Sequence, residues 1–235
     1  MKNVIAYSLW GDKPIYWIGA LRNIEQAKKY FPGWKCRFYI DKNCSQHLID
    51  SLDGENVEKI MMESTGSDEN SYYHHGMFWR FKASEDKDVN IFLSRDCDSR
   101  FSNREIHAIN EWLASDKDFH IMRDHPYHQV PILGGMWGCR NGIMTKIGLS
   151  SLIERWSMDK RSSYSCGIDQ EFLREIVYDL VKDTSMEHSE FGIRYGGEIR
   201  PFPTQREDYT FVGDVFDENE ERHSDYWKMI KNIIG

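Results

Sequence analysis

No stretch of about eighteen apolar residues occurs in the 235-residue chain, so the sequence offers no membrane-spanning helix. The opening MKNVIAYSLWGDKPIYW does not read as a secretory leader, because Asp12 and Lys13 interrupt it before an apolar region can develop. The five cysteines (Cys36, Cys44, Cys97, Cys139, Cys166) are odd in number and form no Cys-x-x-Cys pair. That spacing argues against a zinc site or a disulfide framework and for reduced thiols in a cytoplasmic setting. Basic clusters are missing too. With 30 basic against 38 acidic residues the net charge is −8, the opposite of a nucleic-acid-binding balance. No internal repeat and no convincing linker divides the chain. It reads as one domain over 1–235 with a less regular tail from about 203.

What remains is enough for a sizeable core: 40% of residues are hydrophobic, and eight Trp help bring the aromatic share to 14%. Val4 to Leu9 reads as a buried strand ended by Trp10-Gly11-Asp12. Pro14 suits a first helical residue, and Ala20, Ile24, Ala27 and Phe31 follow at helical spacing until Pro32-Gly33. Cys36 to Ile40 and Val57 to Met61 read as strands, with a short helix over Leu48 to Leu52 between them. The polar segment Glu63 to Tyr73 reads as a surface loop and Met77 to Ala83 as a helix. Val89 to Leu93 has the continuous apolar character of a strand buried on both faces of a parallel sheet.

Ser102 and Glu105 form a capping-box pattern ahead of Ile106, Ile109 and Leu113. Phe119 to Met122 is a further strand, and Ile132 to Gly138 is glycine-rich, as expected near a ligand or another backbone. Phe172, Leu173, Ile176, Val177 and Leu180 predict one helix with a single apolar face, and Tyr226 to Ile234 a terminal helix beyond a charged stretch. The alternation of strand and helix predicts an α/β fold with a mainly parallel central sheet flanked by helices. Ligands of such sheets bind at the carboxyl ends of the strands.

Directly after the Val89 to Leu93 strand comes Arg95-Asp96-Cys97-Asp98-Ser99-Arg100. On an extended chain Asp96 and Asp98 point to one side, where two carboxylates repel unless a cation neutralises them. A hard divalent ion, Mn²⁺ or Mg²⁺, satisfies both and leaves positions open for phosphate oxygens. The plain alternative is a turn or a helix cap.

The runs GMFWRF (Gly76 to Phe81), RDCDSR (Arg95 to Arg100, followed by Arg104-Glu105), FHIMRDHP (Phe119 to Pro126) and GGMWG (Gly134 to Gly138) occur in this order in a group of GT-A glycosyltransferases. The chain resembles that group, including domains of large algal viruses and bacterial surface-polysaccharide enzymes. The opening YSLWGDKPIYWIGALRN and Asp169-Gln170 also fit. The resemblance runs from about Tyr7 to Leu173, with a weaker echo in Phe211-Val212-Gly213.

It implies a GT-A fold and transfer of a sugar from a nucleotide-diphosphate donor, a UDP-sugar, to a glycan acceptor. By the same resemblance Asp96 and Asp98 are the Asp-x-Asp pair that contacts donor and metal, and His188 is a candidate third metal ligand. Ser8, Leu9, Trp10 and Gly11 belong to the loop that cradles the base. Arg80 and Arg95 lie near the nucleotide, and Asp124 and His125 face the donor sugar. Gly135, Met136 and Trp137 line the acceptor side, although Trp137 reads as well as a core residue. Asp169 and Gln170 match the pair near the anomeric centre in retaining enzymes, and Asp124 or Asp169 would serve as base in an inverting one. Two rivals stand beside this reading: a nucleotidyltransferase on a related α/β sheet, whose glycine-rich phosphate loop Ser8 to Asp12 lacks, and a non-catalytic carbohydrate-binding module.

Overall fold

A computed structural model describes residues 1–63, 76–159, 167–191 and 195–235. Most of the expected loop Glu63 to Tyr73 lies outside them, as does Cys166. Among the described residues no helix is long and apolar enough to cross a membrane, and Cys36, Cys44, Cys97 and Cys139 are free thiols.

The chain opens with β1 (Lys2–Leu9), α1 (Pro14–Tyr30), β2 (Lys35–Asp41), α2 (Gln46–Ser51) and β3 (Val57–Met62). A helical turn at 76–79 tightens into a 3-10 segment (Arg80–Glu85) that leads to β4 (Val89–Ser94), α3 (Asn103–Leu113), β5 (Phe119–Arg123) and β6 (Trp137–Arg140). Then come α4 (Ile143–Ile147), α5 (Leu149–Asp159), α6 (Ile168–Phe172), a π-helical turn (Leu173–Val177), α7 (Tyr178–Val181), β7 (Ser185–Ser189), β8 (Glu198–Arg200) and α8 (Ser224–Ile234). Among the described residues one eight-stranded sheet runs in the order β3-β2-β1-β4-β6-β5-β7-β8. All pairings are parallel except those of β6, which runs antiparallel between β4 and β5.

The sheet separates two cores, because alternate residues of a strand point to opposite faces. Ile5, Tyr7, Leu9, Ile91 and Leu93 pack with α1 and α3, whereas Val4, Ala6, Phe92, Phe119 and Trp137 pack with Phe78, Phe81 and Phe172 on the other side. Helix α1 starts with Pro14 in its first turn, where the missing N–H costs nothing, and buries Trp17, Ala20, Ile24 and Ala27. A side chain at Gly19 would overlap the Cys97 carbonyl, so a glycine there lets α1 approach the turn after β4. Asn23 secures the contact with a 3.0 Å hydrogen bond from Nδ2 to the same carbonyl.

Three local readings are revised. Only half of the capping box forms: Ser102 accepts from the Glu105 N–H, but the Glu105 carboxylate turns inward to Arg95 at 2.5 Å. The single helix expected over Phe172 to Leu180 is broken by the π turn, whose extra residue rotates the apolar face. Val177, Tyr178 and Val181 are buried as a result, while Leu180 is 53% exposed. The segment Trp137 to Arg140 is a strand, whereas its glycines suggested only a close approach.

Trp137 itself is fully buried, with ring centroids 4.8 Å from Phe92, 5.1 Å from Phe81 and a stacked 5.2 Å from Phe119. It presents no surface to an acceptor, and the core reading of this residue prevails. Trp137→Ala is expected to destabilise the fold by about 3–5 kcal/mol in urea titration, the loss typical of a large side chain removed from a packed core.

Candidate active site

A cavity of about 440 Å³ opens at the carboxyl ends of β1 and β4. Its wall comprises Ser8, Leu9, Trp10, Tyr16, Met77, Arg80, Asp96, Cys97, Asp98, Ser99, Gly134, Gly167, Asp169, Gln170, Gly213, Val215 and Tyr226. Six regions far apart in sequence therefore meet here, which the parallel sheet makes possible by aiming its loops to one edge.

The charged floor is built around Arg80. Its guanidinium is buried, with Nη1 on Asp96 and Nη2 on Asp169 Oδ2 at 2.9 Å. Nη1 also donates to the Arg95 carbonyl at 3.2 Å. Both carboxylates reinforce the positive charge that burial opposes. Burial pushes the Asp169 carboxyl up while Arg80 pulls it down. Asp98 is different. Burial first, and Asp96 second, push its carboxyl up to about 6, and no ion-pair partner reaches it among the described residues.

Gly134 and Gly135 make this floor possible. A Cβ on Gly134 would overlap Asp169 Oδ2, and one on Gly135 would overlap Asp96 Oδ2. The backbone thus forms the seat of both carboxylates, and Ser94 Oγ pins it by donating to the Gly134 carbonyl at 2.6 Å. Arg95 lies just beneath, its Nε on Glu105 at 2.5 Å and its Nη1 on the Ser94 and Gly135 carbonyls at 2.6 and 3.4 Å. Arg95 positions the turn from below and does not face the cavity.

Of the residues singled out in the sequence, Ser8, Leu9, Trp10, Arg80, Asp96, Asp98, Asp169 and Gln170 line the cavity. Gly11 sits beside it in the left-handed region at φ 64°, its carbonyl accepting from Trp17 Nε1 at 2.8 Å. Gly135 and Met136 lie behind the wall: Gly135 under Asp96, and Met136 under Gly213.

Three expected site residues are placed elsewhere. Asp124 is fully buried with both oxygens occupied, by Arg104, Arg206 and the Val212 N–H, so it cannot accept a proton from an acceptor in the cavity. His125 belongs to an aromatic cluster with Phe211 and Tyr226, and its Nε2 is 3.0 Å from the Tyr226 carbonyl oxygen. His188 lies on β7, three strand spacings from β4, or about 14 Å. There its ring nitrogens meet His120 at 2.8 Å and Glu111 at 3.3 Å. It is not brought to Asp96 and Asp98. Conversely, Tyr16, Met77, Gly213, Val215 and Tyr226 join the cavity without having been selected. The echo at Phe211-Val212-Gly213 was the one sequence signal pointing to the last three.

No group of three or more His, Cys, Asp or Glu is arranged as a metal site among the described residues. The chemistry of the donor set nonetheless fits a hard cation. The described lining carries three carboxylates (Asp96, Asp98, Asp169) against one guanidinium (Arg80), a formal excess of two negative charges. Magnesium-type sites commonly use one or two carboxylates and take the remaining ligands from phosphate and water.

No family model and no curated protein matches the sequence. Solved structures do match. A glycosyltransferase involved in the glycosylation of the major capsid of PBCV-1 superposes with a TM-score of 0.51 at 14% identity, over 80% of this chain and 82% of that one. The galactosyltransferase LgtC, in complex with donor and acceptor sugar analogues, gives 0.49 at 13%, over 80% and 73%. The 4-diphosphocytidyl-2C-methyl-D-erythritol synthase of Anaerococcus prevotii gives 0.45 at 11%, over 81% and 90%. Likeness at such identities speaks to architecture alone, and the first of these carries it: the chain has the GT-A fold.

Proposed function

We infer that this chain transfers a sugar from a nucleotide-diphosphate donor, a UDP-sugar, to a glycan acceptor, assisted by Mn²⁺ or Mg²⁺ on Asp96 and Asp98. The observation that carries the reading is the charge of the cavity. A diphosphate entering a wall with three carboxylates and one guanidinium meets net repulsion unless a cation comes with it. Asp98, half-buried and without an ion-pair partner among the described residues, is the group that gains most from that cation. When bound, such an ion acts as a Lewis acid that stabilises the charge developing on the departing diphosphate.

The chain's own residues divide the remaining work. Ser8, Leu9 and Trp10 offer the wall for the base and ribose at the end of β1. Arg80 holds Asp96 and Asp169 in fixed relation, so neither carboxylate needs to reorganise as charge moves. Asp169 and Gln170, which line the same cavity, are the groups assigned to the sugar in this reading. Of the two carboxylates considered as an acceptor base only Asp169 has access, and Gln170 beside it suits the retaining course, in which the leaving phosphate accepts the proton.

Calorimetric titration of UDP with Mn²⁺, and again with EDTA, tests the donor site. Micromolar binding that requires the metal is the expected result. Equal binding of UDP in EDTA would remove the metal from the reading, and no binding in either condition would remove UDP.

A further inference from the structure

Asp124 does not line the cavity, yet Arg104, Arg206 and the Val212 N–H all converge on its buried carboxylate. Its Oδ2 accepts from Arg104 Nε at 3.0 Å, from Arg206 Nη1 at 3.2 Å and from the Val212 N–H at 3.0 Å. Its Oδ1 accepts from Arg206 Nη2 at 2.6 Å. Arg206 also reaches back to the Thr210 carbonyl at 2.6 Å, which closes the 206–210 loop on itself. The carboxylate of β5's exit therefore fixes the stretch 206–212, and a buried charge so satisfied is costly to remove from one side only.

From Val212 the chain runs straight into the site. Gly213 lies on Met136, where a Cβ would come within 2.7 Å of Sδ, and Gly213 and Val215 form part of the cavity wall. Val215 bridges Ser99, and the Phe216 N–H donates to the Asp98 carbonyl at 2.9 Å. Farther on, Glu220 pairs with Arg100 Nη2 at 2.8 Å. The turn bearing Asp98 is thus gripped by α1 on one side, through Asn23, and by the C-terminal segment on the other.

We propose that Asp124 is a positioning residue: by anchoring residues 206–212 it sets the Gly213–Val215 wall of the cavity and holds the Asp96–Ser99 turn through the Phe216–Asp98 and Val215–Ser99 contacts. Two measurements decide it. The first needs no nucleotide. Cys97 lines the cavity between the two aspartates, its Sγ 3.7 Å from the Ser8 carbonyl, while Cys36 and Cys139 lie at 0% and 1% exposure in the two cores.

In Asp124→Ala, iodoacetamide labelling read by peptide mass spectrometry should run at least tenfold faster at Cys97 and unchanged at Cys36 and Cys139. Should that variant not fold, Arg206→Met carries the same test, since it cuts the link from the tail side and leaves Asp124 with Arg104 and the Val212 N–H. Unchanged Cys97 protection in a folded variant would overturn the assignment. So would equal acceleration at all three thiols in both variants, because Asp124 would then be a global stabiliser only.

The second measurement rests on the cavity being the donor site: the Kd for UDP with Mn²⁺ should rise at least tenfold in the same variant. If the parent protein binds no UDP, the donor reading fails while the labelling result still decides the role of Asp124. If the parent binds and the variant binds equally well, the positioning role fails while the donor reading stands.

Discussion

Asp98→Asn is expected to abolish metal-dependent UDP binding, with a loss of at least about a hundredfold in affinity, and to lower any sugar transfer by about 10³. The substitution keeps the size of the side chain and removes only its charge, so the effect reports the cation and not the packing. Stability should move the other way. Burial and Asp96 raise the Asp98 carboxyl to about 6, above its unfolded value, so the charged form is penalised in the folded protein at neutral pH. In EDTA the Asn variant should therefore melt at the same temperature as the parent or higher at pH 7.5. That advantage should fade as pH falls through about 6 and the parent takes up its proton. Lost binding together with retained or improved stability marks a residue kept for function at a structural cost. A variant that binds UDP with Mn²⁺ as the parent does would end the Asp98 assignment.

Arg80→Met is the second large effect, and it falls on both stability and activity. The guanidinium is buried between Asp96 and Asp169, so its removal strands a carboxylate at Asp169 that is itself buried. Breaking such a pair from one side costs about 3–5 kcal/mol. The pH dependence follows with a definite sign. Without Arg80 only burial and Asp96 act strongly on Asp169, and both raise its carboxyl further above the unfolded value. The folded variant then binds a proton that the unfolded chain does not, so its deficit should be largest at neutral pH and shrink as the solution is made mildly acidic. Urea titrations of parent and variant at pH 7.5 and 5.5 measure this directly. A deficit independent of pH would mean that Asp169 does not depend on Arg80 for its charge. Arg80→Lys should recover little activity, because an ammonium cannot bridge two carboxylates in the geometry of a planar fork.

Sequence legibility followed hydrophobic content closely. Strands β1 and β4 announce themselves by near-continuous apolar runs, and β2, β3 and β5 by shorter ones such as Phe38-Tyr39-Ile40, Ile60-Met61-Met62 and Ile121-Met122. Strand β7, Ser-Met-Glu-His-Ser, does not, because its interior positions are polar: Glu187 is paired with Arg123 and hydrogen-bonded by Tyr178 at 2.8 Å. A strand stabilised by a buried polar network has no apolar period to read. The same ambiguity affected the site. Asp124, His125 and His188 looked like chemistry because they are polar residues beside strands, but each is a satisfied interior group. Asp96, Asp98, Arg80 and Asp169 do meet at the cavity; the position after an apolar strand pointed to the first two, and the resemblance to GT-A enzymes to the others. Tyr16 and Met77 lay inside the quoted runs YSLWGDKPIYWIGALRN and GMFWRF but were not singled out, since a partly exposed apolar residue next to a strand end looks like any other.

The grip of the C-terminal segment on the Asp98 turn also has a temporal side. Chain growth on the ribosome proceeds from the N-terminus, and contacts distant in sequence form late. The Asp98 carbonyl meets Phe216, and Arg100 meets Glu220 across 120 positions. Until those residues emerge, the nascent sheet has its aspartates but lacks one wall of the cavity. A half-made chain would therefore present carboxylates without a closed cavity, and the complete wall would arise only once synthesis has passed the segment that seals it.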